Sequence, residues 1–206
     1  MIQMTQYIVR FNLLFNGLDT ELPWKLTGNI GKILEDKMTT LGPDYKIFNN
    51  VAIHKTVAID SHAILKGPAI ISQNCFVGAH AYIRGGVFLD ENVSLGPGCE
   101  VKTTFIFSHS ALAHFNFVGD SLVGSHVNLE AGAVVANHYN ERKIKTIYVS
   151  IHGKTHPTDV EKFGSLIGDH TKVGANAVLS PGTILEPQTV VRRLELVDQA
   201  DRPVNR

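Results

Sequence analysis

Residues 75–102 read Cys-Phe-Val-Gly-Ala-His-Ala-Tyr-Ile-Arg-Gly-Gly-Val-Phe-Leu-Asp-Glu-Asn-Val-Ser-Leu-Gly-Pro-Gly-Cys-Glu-Val-Lys. An aliphatic residue falls at every sixth place: Val77, Ile83, Leu89, Leu95, Val101. Two residues before each sits a small or β-branched one: Cys75, Ala81, Val87, Val93, Cys99. Upstream the beat begins at Ile53 and passes through Ile59, Leu65 and Ile71. Downstream it shortens to five at Ile106, runs on through Leu112 and Val118, and shortens again at Val123 before Leu129 and Val135. After a gap it resumes as Ile167, Val173, Leu179, Leu185 and Val191. A fixed period of this kind marks a repeat architecture and is read before any local motif.

Six residues are too few for a helix and a turn, but they suit one short strand and a tight corner. The aliphatic residue points inward, and the small residue packs beside it where the interior narrows. A single hexad cannot bury its inner face, so coils must stack. Three hexads make a triangular coil of 18 residues, with neighbouring coils about 4.8 Å apart, the ordinary strand spacing. Gly67-Pro68, Gly85-Gly86, Asp90-Glu91-Asn92 and Gly96-Pro97-Gly98 fall between the beats, where corners need turn chemistry. A β-sandwich also has evenly spaced strands, but these alternate with period 2 and do not hold a fixed six. The expected fold is therefore an all-β solenoid, a parallel β-helix.

Composition narrows the function classes. Lys plus Arg and Asp plus Glu number 19 each, so no charge excess points to nucleic acid or an anionic membrane. No apolar run approaches 18 residues and no signal peptide is visible at the start, which predicts a soluble cytoplasmic protein. Cys75 and Cys99 occupy inward slots whose separation is not a whole number of coils, and they read as small core residues rather than a disulfide. Residues 1–50 lack the beat. Residues 5–15 suit helix or strand, and residues 22–41 predict a helix that starts near Pro23 and stops at Gly42-Pro43. Such a segment would cap the first coil, with Trp24 as a packing anchor or a ligand-stacking ring. The expected organisation is a helical cap over 1–50, a solenoid over 51–195 and a tail over 196–206. Residues 145–165 interrupt the solenoid as a projecting hairpin or extended loop.

The coil length also locates chemistry. Arg84 and Lys102 are 18 apart and each follows an inward residue, so they are expected side by side on one outer face. Opposed like charges cost several tenths of a kcal/mol or more. A shared anion, phosphate above all, would remove that cost; the plain alternative is two solvated side chains. Glu100 shares the strand of Lys102 and either neutralises it or holds an amine or hydroxyl of a ligand. His114 lies between Ala113 and Phe115 about one coil further on; as a histidine among aromatics it is a candidate general base or a structural residue. His62 and His80, and likewise His109 and His126, recur at corner positions and read as surface residues, with zinc binding as the lesser reading.

These residues resemble a known family. Residues 72–146 and 165–191 are similar to the acetyltransferase domain of bifunctional N-acetylglucosamine-1-phosphate uridyltransferase/glucosamine-1-phosphate acetyltransferase, and to related archaeal sugar-1-phosphate nucleotidylyltransferases. The family's His-Leu-(Ser/Thr)-Tyr-(Leu/Val)-Gly-Asp run is matched by His114-Phe115-Asn116-Phe117-Val118-Gly119-Asp120. Its Val-Asn-Ile-Gly-Ala-Gly block is matched by Val127-Asn128-Leu129-Glu130-Ala131-Gly132, and its Asn-Tyr-x5-Lys-x-Lys-Thr segment by Asn137-His138 through Lys143, Lys145 and Thr146. Ile83-Arg84-Gly85-Gly86 and Glu100-Val101-Lys102 match its Leu-Arg-Pro-Gly and Glu-x-Lys. The resemblance implies a left-handed helix, against the usual right-handed crossover. It implies acetyl-CoA as co-substrate, a sugar phosphate on Arg84 and Lys102, and His114 as general base. Glu100, Asn128, Asn137 and Lys143 would bind the sugar, the phosphate or the developing charge, and Ala131 and Ala175 would line the acetyl-CoA groove through backbone groups. It further implies a homotrimer with sites between subunits, and leaves room for a nucleotidyltransferase on a separate chain. Phe117 and His138 stand where the family carries Tyr, and no Gly-rich nucleotide-binding segment precedes the solenoid.

The expected chemistry is direct transfer of an acetyl group to a sugar amine. His114 takes the proton, and a backbone N–H or Asn137 steadies the oxyanion. No nucleophilic elbow is visible, and no metal is expected in the reaction. Two rivals remain. A γ-type carbonic anhydrase would use the His109-x4-His114 spacing for zinc, although no third histidine matches. A non-catalytic sugar-phosphate-binding protein would explain the Phe117 and His138 departures.

Overall fold

The computed structural model describes residues 2–151 and 153–199; the centre of the expected hairpin turn, His152, and residues 200–206 of the expected tail lie outside the described residues. From Val51 onward the chain winds as a parallel β-solenoid with three faces. The first face begins with Val51–His54 and Ala69–Ile71 and ends with Ser165–Ile167 and Thr183–Leu185. The second is a seven-stranded sheet running from Ala58–Ile59 to Val190–Val191. The third begins at Ile64–Leu65 and ends at Leu196–Val197, so the solenoid reaches just into the expected tail. The long strands Tyr82–Leu89 and Glu100–Ile106 each turn the corner from the third face to the first.

The six-residue beat is the inward row. Ile71, Val77, Ile83, Leu89, Leu95 and Val101 are all buried in one continuous core, together with Cys75 and Cys99, whose thiols are free. Ile83 pairs with Val101, a full three-hexad coil further on, whereas Val101 pairs with Val118, one place short of a full coil. The lost residue comes from the corner between the third and first faces. Gly85 and Gly86 together oppose Thr103 alone, because Arg84 pairs with Lys102 and Val87 with Thr104. The five-residue steps of the sequence are these tightened corners. Elsewhere the coils touch closely: a Cβ on Gly96 would fall on the Ala113 carbonyl of the next coil.

A second row of corners is built from residues in the left-handed region: Asn74, Asn92, His109, His126 and His170. Asn tolerates that conformation well, and His is enriched there. Coil stacking then places the imidazoles of His109, His126 and His170 in parallel, with ring centroids 4.8 Å apart at each step. His62 and His80 stack likewise at 5.3 Å on another edge. Among the described residues no cluster of three or more His, Cys, Asp or Glu side chains could hold a metal ion. Burial, then the neighbouring His109 and His170, lower the pKa of His126 below the usual imidazole value. A lowered folded pKa favours the neutral ring, so its stabilisation is present above the unfolded value of about 6.5 and is lost as pH falls below it. The melting temperature should therefore drop between pH 7.5 and 5.5, and less steeply in His126→Asn. Equal pH slopes in melts of the two proteins would show that the stack does not titrate.

The N-terminal segment forms four short helices, α1 (Met4–Tyr7), α2 (Phe11–Leu14), α3 (Pro23–Gly28) and α4 (Ile30–Met38). The single helix expected over 22–41 is thus divided after Gly28, at Asn29, which has left helical geometry (φ −106°, ψ 7°). Gly and Asn are both weak helix formers. The segment does not cap the first coil; it lies lengthwise along the first face. There the outward residues Ala52, Ile70, Phe88, Phe105, Leu122, Leu166 and Ile184 are apolar and buried against it. Phe15 sits edge-on to Phe88 at 5.0 Å and to Phe105 at 5.2 Å. The amide of Val9 donates to Asp169 and the Tyr7 hydroxyl to Glu186, while Arg10 bridges Asp90 and Glu91, so the segment spans several coils. The end of the first coil is covered instead by the antiparallel strand Tyr45–Phe48.

The insertion contains the expected hairpin, Tyr148–Ile151 with Lys154–Pro157. Rather than projecting, it folds back beside the helices: Ile147, Val149 and Phe163 are buried in the same apolar layer. Trp24 meets Phe163 edge-on at 5.7 Å, which makes it a packing anchor between the helical segment and the insertion. No described helix is long and apolar enough to cross a membrane.

Candidate functional site

The third face carries the charged cluster. Across neighbouring strands Tyr82 stands beside Glu100 and then Phe117, and Arg84 beside Lys102 and then Gly119. Arg84 and Lys102 are thus adjacent, as the three-hexad coil requires. No external anion is needed to relieve their repulsion, because each has its own carboxylate. The Arg84 guanidinium donates to Glu100 Oε1 from Nε at 2.8 Å and from Nη2 at 2.6 Å. The Lys102 ammonium donates to Asp120 Oδ2 at 2.8 Å. Glu100 therefore neutralises Arg84 rather than Lys102. The outer pair is about one-third exposed (35% and 33%), whereas the inner pair is nearly dry (17% and 11%).

Asn137, leaving the third face at its far corner, donates its Nδ2 to the same Asp120 oxygen. Gly119 makes room for it: a Cβ there would lie 2.8 Å from Asn137 Nδ2 and 3.0 Å from the Phe117 ring. The cluster thus holds two cations, two carboxylates and one amide over a glycine floor. Asp120 is the member that the sequence reading passed over. Its signal was weak, since it lies one residue past Gly119, the coil partner of Lys102, and only the corner geometry shows its side chain turning back onto that lysine.

The other expected site residues lie elsewhere on the column. His114 is exposed at the edge between the second and third faces, just before the strand Phe117–Gly119. Among the described residues no hydrogen bond or ion pair engages its imidazole. Phe115 beside it is 73% exposed and covers Gly98, so no aromatic box surrounds the histidine. Ala131 and Ala175 occupy the equivalent edge position in the next two coils: the Gly132 amide donates to the His114 carbonyl, Asn176 to Ala131 and Leu194 to Ala175. The Ala175 amide in turn donates to Glu130 Oε2 at 2.9 Å, and Arg193 grips that carboxylate through Nε and Nη2. Ala175 is thus already hydrogen-bonded through both backbone groups. Asn128 is exposed on the second face between Ala111 and Lys172. Lys143 is exposed just before the insertion. His138 lies near Lys145, with its Nδ1 3.2 Å from the Glu161 carbonyl. His109 and His114 lie on different edges of the column, so a single chain does not bring together the pair required by the carbonic anhydrase reading.

A hexapeptide-repeat solenoid with a charge-balanced cluster on one face defines the class of protein. Residues 65–195 match the family model described as GMPPB C-terminal domain, and the chain belongs to that family. It is similar to the bifunctional protein GlmU of Janthinobacterium sp., with 32% identity over 87% of this chain and 40% of that protein. It is also similar to the bifunctional sugar-1-phosphate nucleotidylyltransferase/acetyltransferase of Sulfurisphaera tokodaii, with 28% identity over 80% of this chain and 42% of that one. A solved hexapeptide transferase family protein from Anaplasma phagocytophilum aligns with a TM-score of 0.43 at 14% identity, over 71% of this chain and 72% of that one. The chain spans less than half the length of the curated relatives it matches.

Proposed function

We propose that the chain is an acetyl-CoA-dependent N-acetyltransferase acting on an amino-sugar phosphate, glucosamine-1-phosphate or a close relative. One observation carries this reading: the third-face cluster is neutral as a set, yet keeps donors and acceptors available. Lys102 uses one of its three N–H groups on Asp120, Arg84 retains N–H groups beyond its contacts with Glu100, and a second Glu100 oxygen is left to accept. A zwitterionic ligand, with phosphate on the cations and an amine near the carboxylate, matches such a set better than a bare polyanion does. The relatives named above supply the reaction class.

In this reading the amine attacks the thioester carbonyl as His114 takes its proton, and collapse of the tetrahedral adduct expels the thiolate, which recovers the proton. One N–H of Asn137 is spent on Asp120; its second N–H or a backbone N–H steadies the oxyanion. Asn128 and Lys143 complete the ligand contacts, and Ala131 and Ala175 line the donor groove. A homotrimer would bring the dispersed residues together across subunit boundaries. The test is thiol release from acetyl-CoA with glucosamine-1-phosphate, followed by an acceptor screen over amino-sugar phosphates and nucleotide-linked amino sugars. Arg84→Ala should raise the acceptor KM at least tenfold; an unchanged KM would remove Arg84 from the phosphate site. A second reading, sugar-phosphate binding without turnover, is favoured by the Glu130 carboxylate on the Ala175 amide. Calorimetric binding of sugar phosphate and CoA with no product formed would establish it.

A further inference from the structure

We infer that Asp120 is the positioning residue of the third-face site. Its buried carboxylate fixes the Asn137 side chain with the amide nitrogen towards Asp120 and the amide oxygen turned away from it, open to a ligand, and it holds the Lys102 ammonium beside Arg84. This inference rests on the functional reading above.

The carboxylate is fixed before any ligand arrives. Asp120 lies at φ +48° in the left-handed region, its amide donates to the Lys102 carbonyl at 2.9 Å, and its carbonyl accepts from the Gly164 amide at 2.9 Å. Both backbone groups are therefore tied to neighbouring segments, and the side chain is only 11% exposed. Asn137 is tethered in turn by its carbonyl, which accepts from the Phe163 amide at 3.1 Å. An ionised carboxylate can only accept, so the Asn137 nitrogen must face it. The oxygen is then left as an acceptor for an N–H or O–H of the ligand, next to two cations that suit its phosphate. The second N–H is held in an equally fixed direction, whereas an amide free to rotate would exchange donor and acceptor positions and lose that orientation.

Asp120→Asn keeps the shape but removes the charge and the acceptor-only character. It should lower kcat by about 10²-fold, the scale of a small misplacement in a reacting complex. The acceptor KM should stay level or fall, because the site gains net positive charge. Asn137→Ala should cost a similar factor, and the double variant little more. A purely structural role would lower the melting temperature without this split. The second readout is free of turnover: one Asn137 side-chain amide proton should resonate far downfield in the wild type and in Lys102→Met, and return to the ordinary range in Asp120→Asn. A raised KM with unchanged kcat, or an Asn137 signal already in the ordinary range in the wild type, overturns the inference. If Asp120→Asn fails to fold, the wild-type signal and Asn137→Ala decide it. If the wild type turns over no acceptor, the functional reading falls, and the amide signal still decides whether Asp120 orients Asn137.

Discussion

His114→Ala should lower acetyl-transfer turnover by about 10²–10⁴-fold, the usual cost of losing a general base. The acceptor and donor KM values should change little, because the imidazole acts on the proton rather than holding either ligand. The fold should not suffer. The side chain is exposed, and the hydrogen bond at this position, from Gly132, goes to the backbone carbonyl and survives the substitution. Steady-state thiol release and a thermal melt on the same sample check both halves. Wild-type turnover in the variant would remove His114 from the chemistry. The general base would then have to be sought among the cluster on the third face, where Asp120→Asn already provides a comparison.

The largest effect on stability should come from Phe88→Ala. Phe88 is 1% exposed and meets Phe15 at 5.0 Å, Phe107 at 6.2 Å and Phe105 at 6.4 Å. Removing a buried phenyl ring from such a cluster costs about 3–5 kcal/mol, or roughly 6–20 °C in melting temperature for a chain of this size. The damage should be local in character. The inward row of the solenoid does not include Phe88, so the helical segment should loosen from the first face before the coils part. Protease cutting between α2 and α4 should therefore accelerate well below the main melting transition. Phe115→Ala, on the open edge, is the control and should shift the melt by no more than a degree or two. A small shift for Phe88→Ala as well would show that the helical layer contributes little to the fold.

The inward row, the three-hexad coil and the pairing of Arg84 with Lys102 were legible because each follows from one period. The path of the N-terminal helices was also written in the chain, in a signal that the period hides. On the first face the inward residue has an apolar neighbour just before it: Ile70-Ile71, Phe88-Leu89, Phe105-Ile106, Leu166-Ile167, Ile184-Leu185. A strand apolar on both sides is buried on both sides. The second face is mixed: Ser94-Leu95, Asn128-Leu129 and Lys172-Val173 have a polar outward residue, whereas Phe76-Val77 and Val190-Val191 do not. Reading both residues of each strand would have placed the helices along the first face instead of at the end.

The charge pairing was less accessible. Spacing alone puts Glu100 on the strand of Lys102, but whether it turns to Lys102 or to Arg84 depends on side-chain reach across the strand boundary. Asp120 depends on a corner that has lost one residue, and no periodic rule shows which way such a corner aims its side chain. The scattering of His114 and Asn128 follows from the winding itself, because three faces separate residues that lie close in sequence, and Lys143 lies off the solenoid strands altogether.

The covered first face has a consequence for assembly. A bare three-sided column could meet identical neighbours on any side. Here one side is covered by the chain's own helices and hairpin, so bare strands are open to another copy only on the remaining two sides. The edge between those two carries His114, Ala131 and Ala175, and it opens onto the face bearing Arg84 and Lys102. The layer that stabilises the column therefore leaves the strands beside the exposed histidine uncovered.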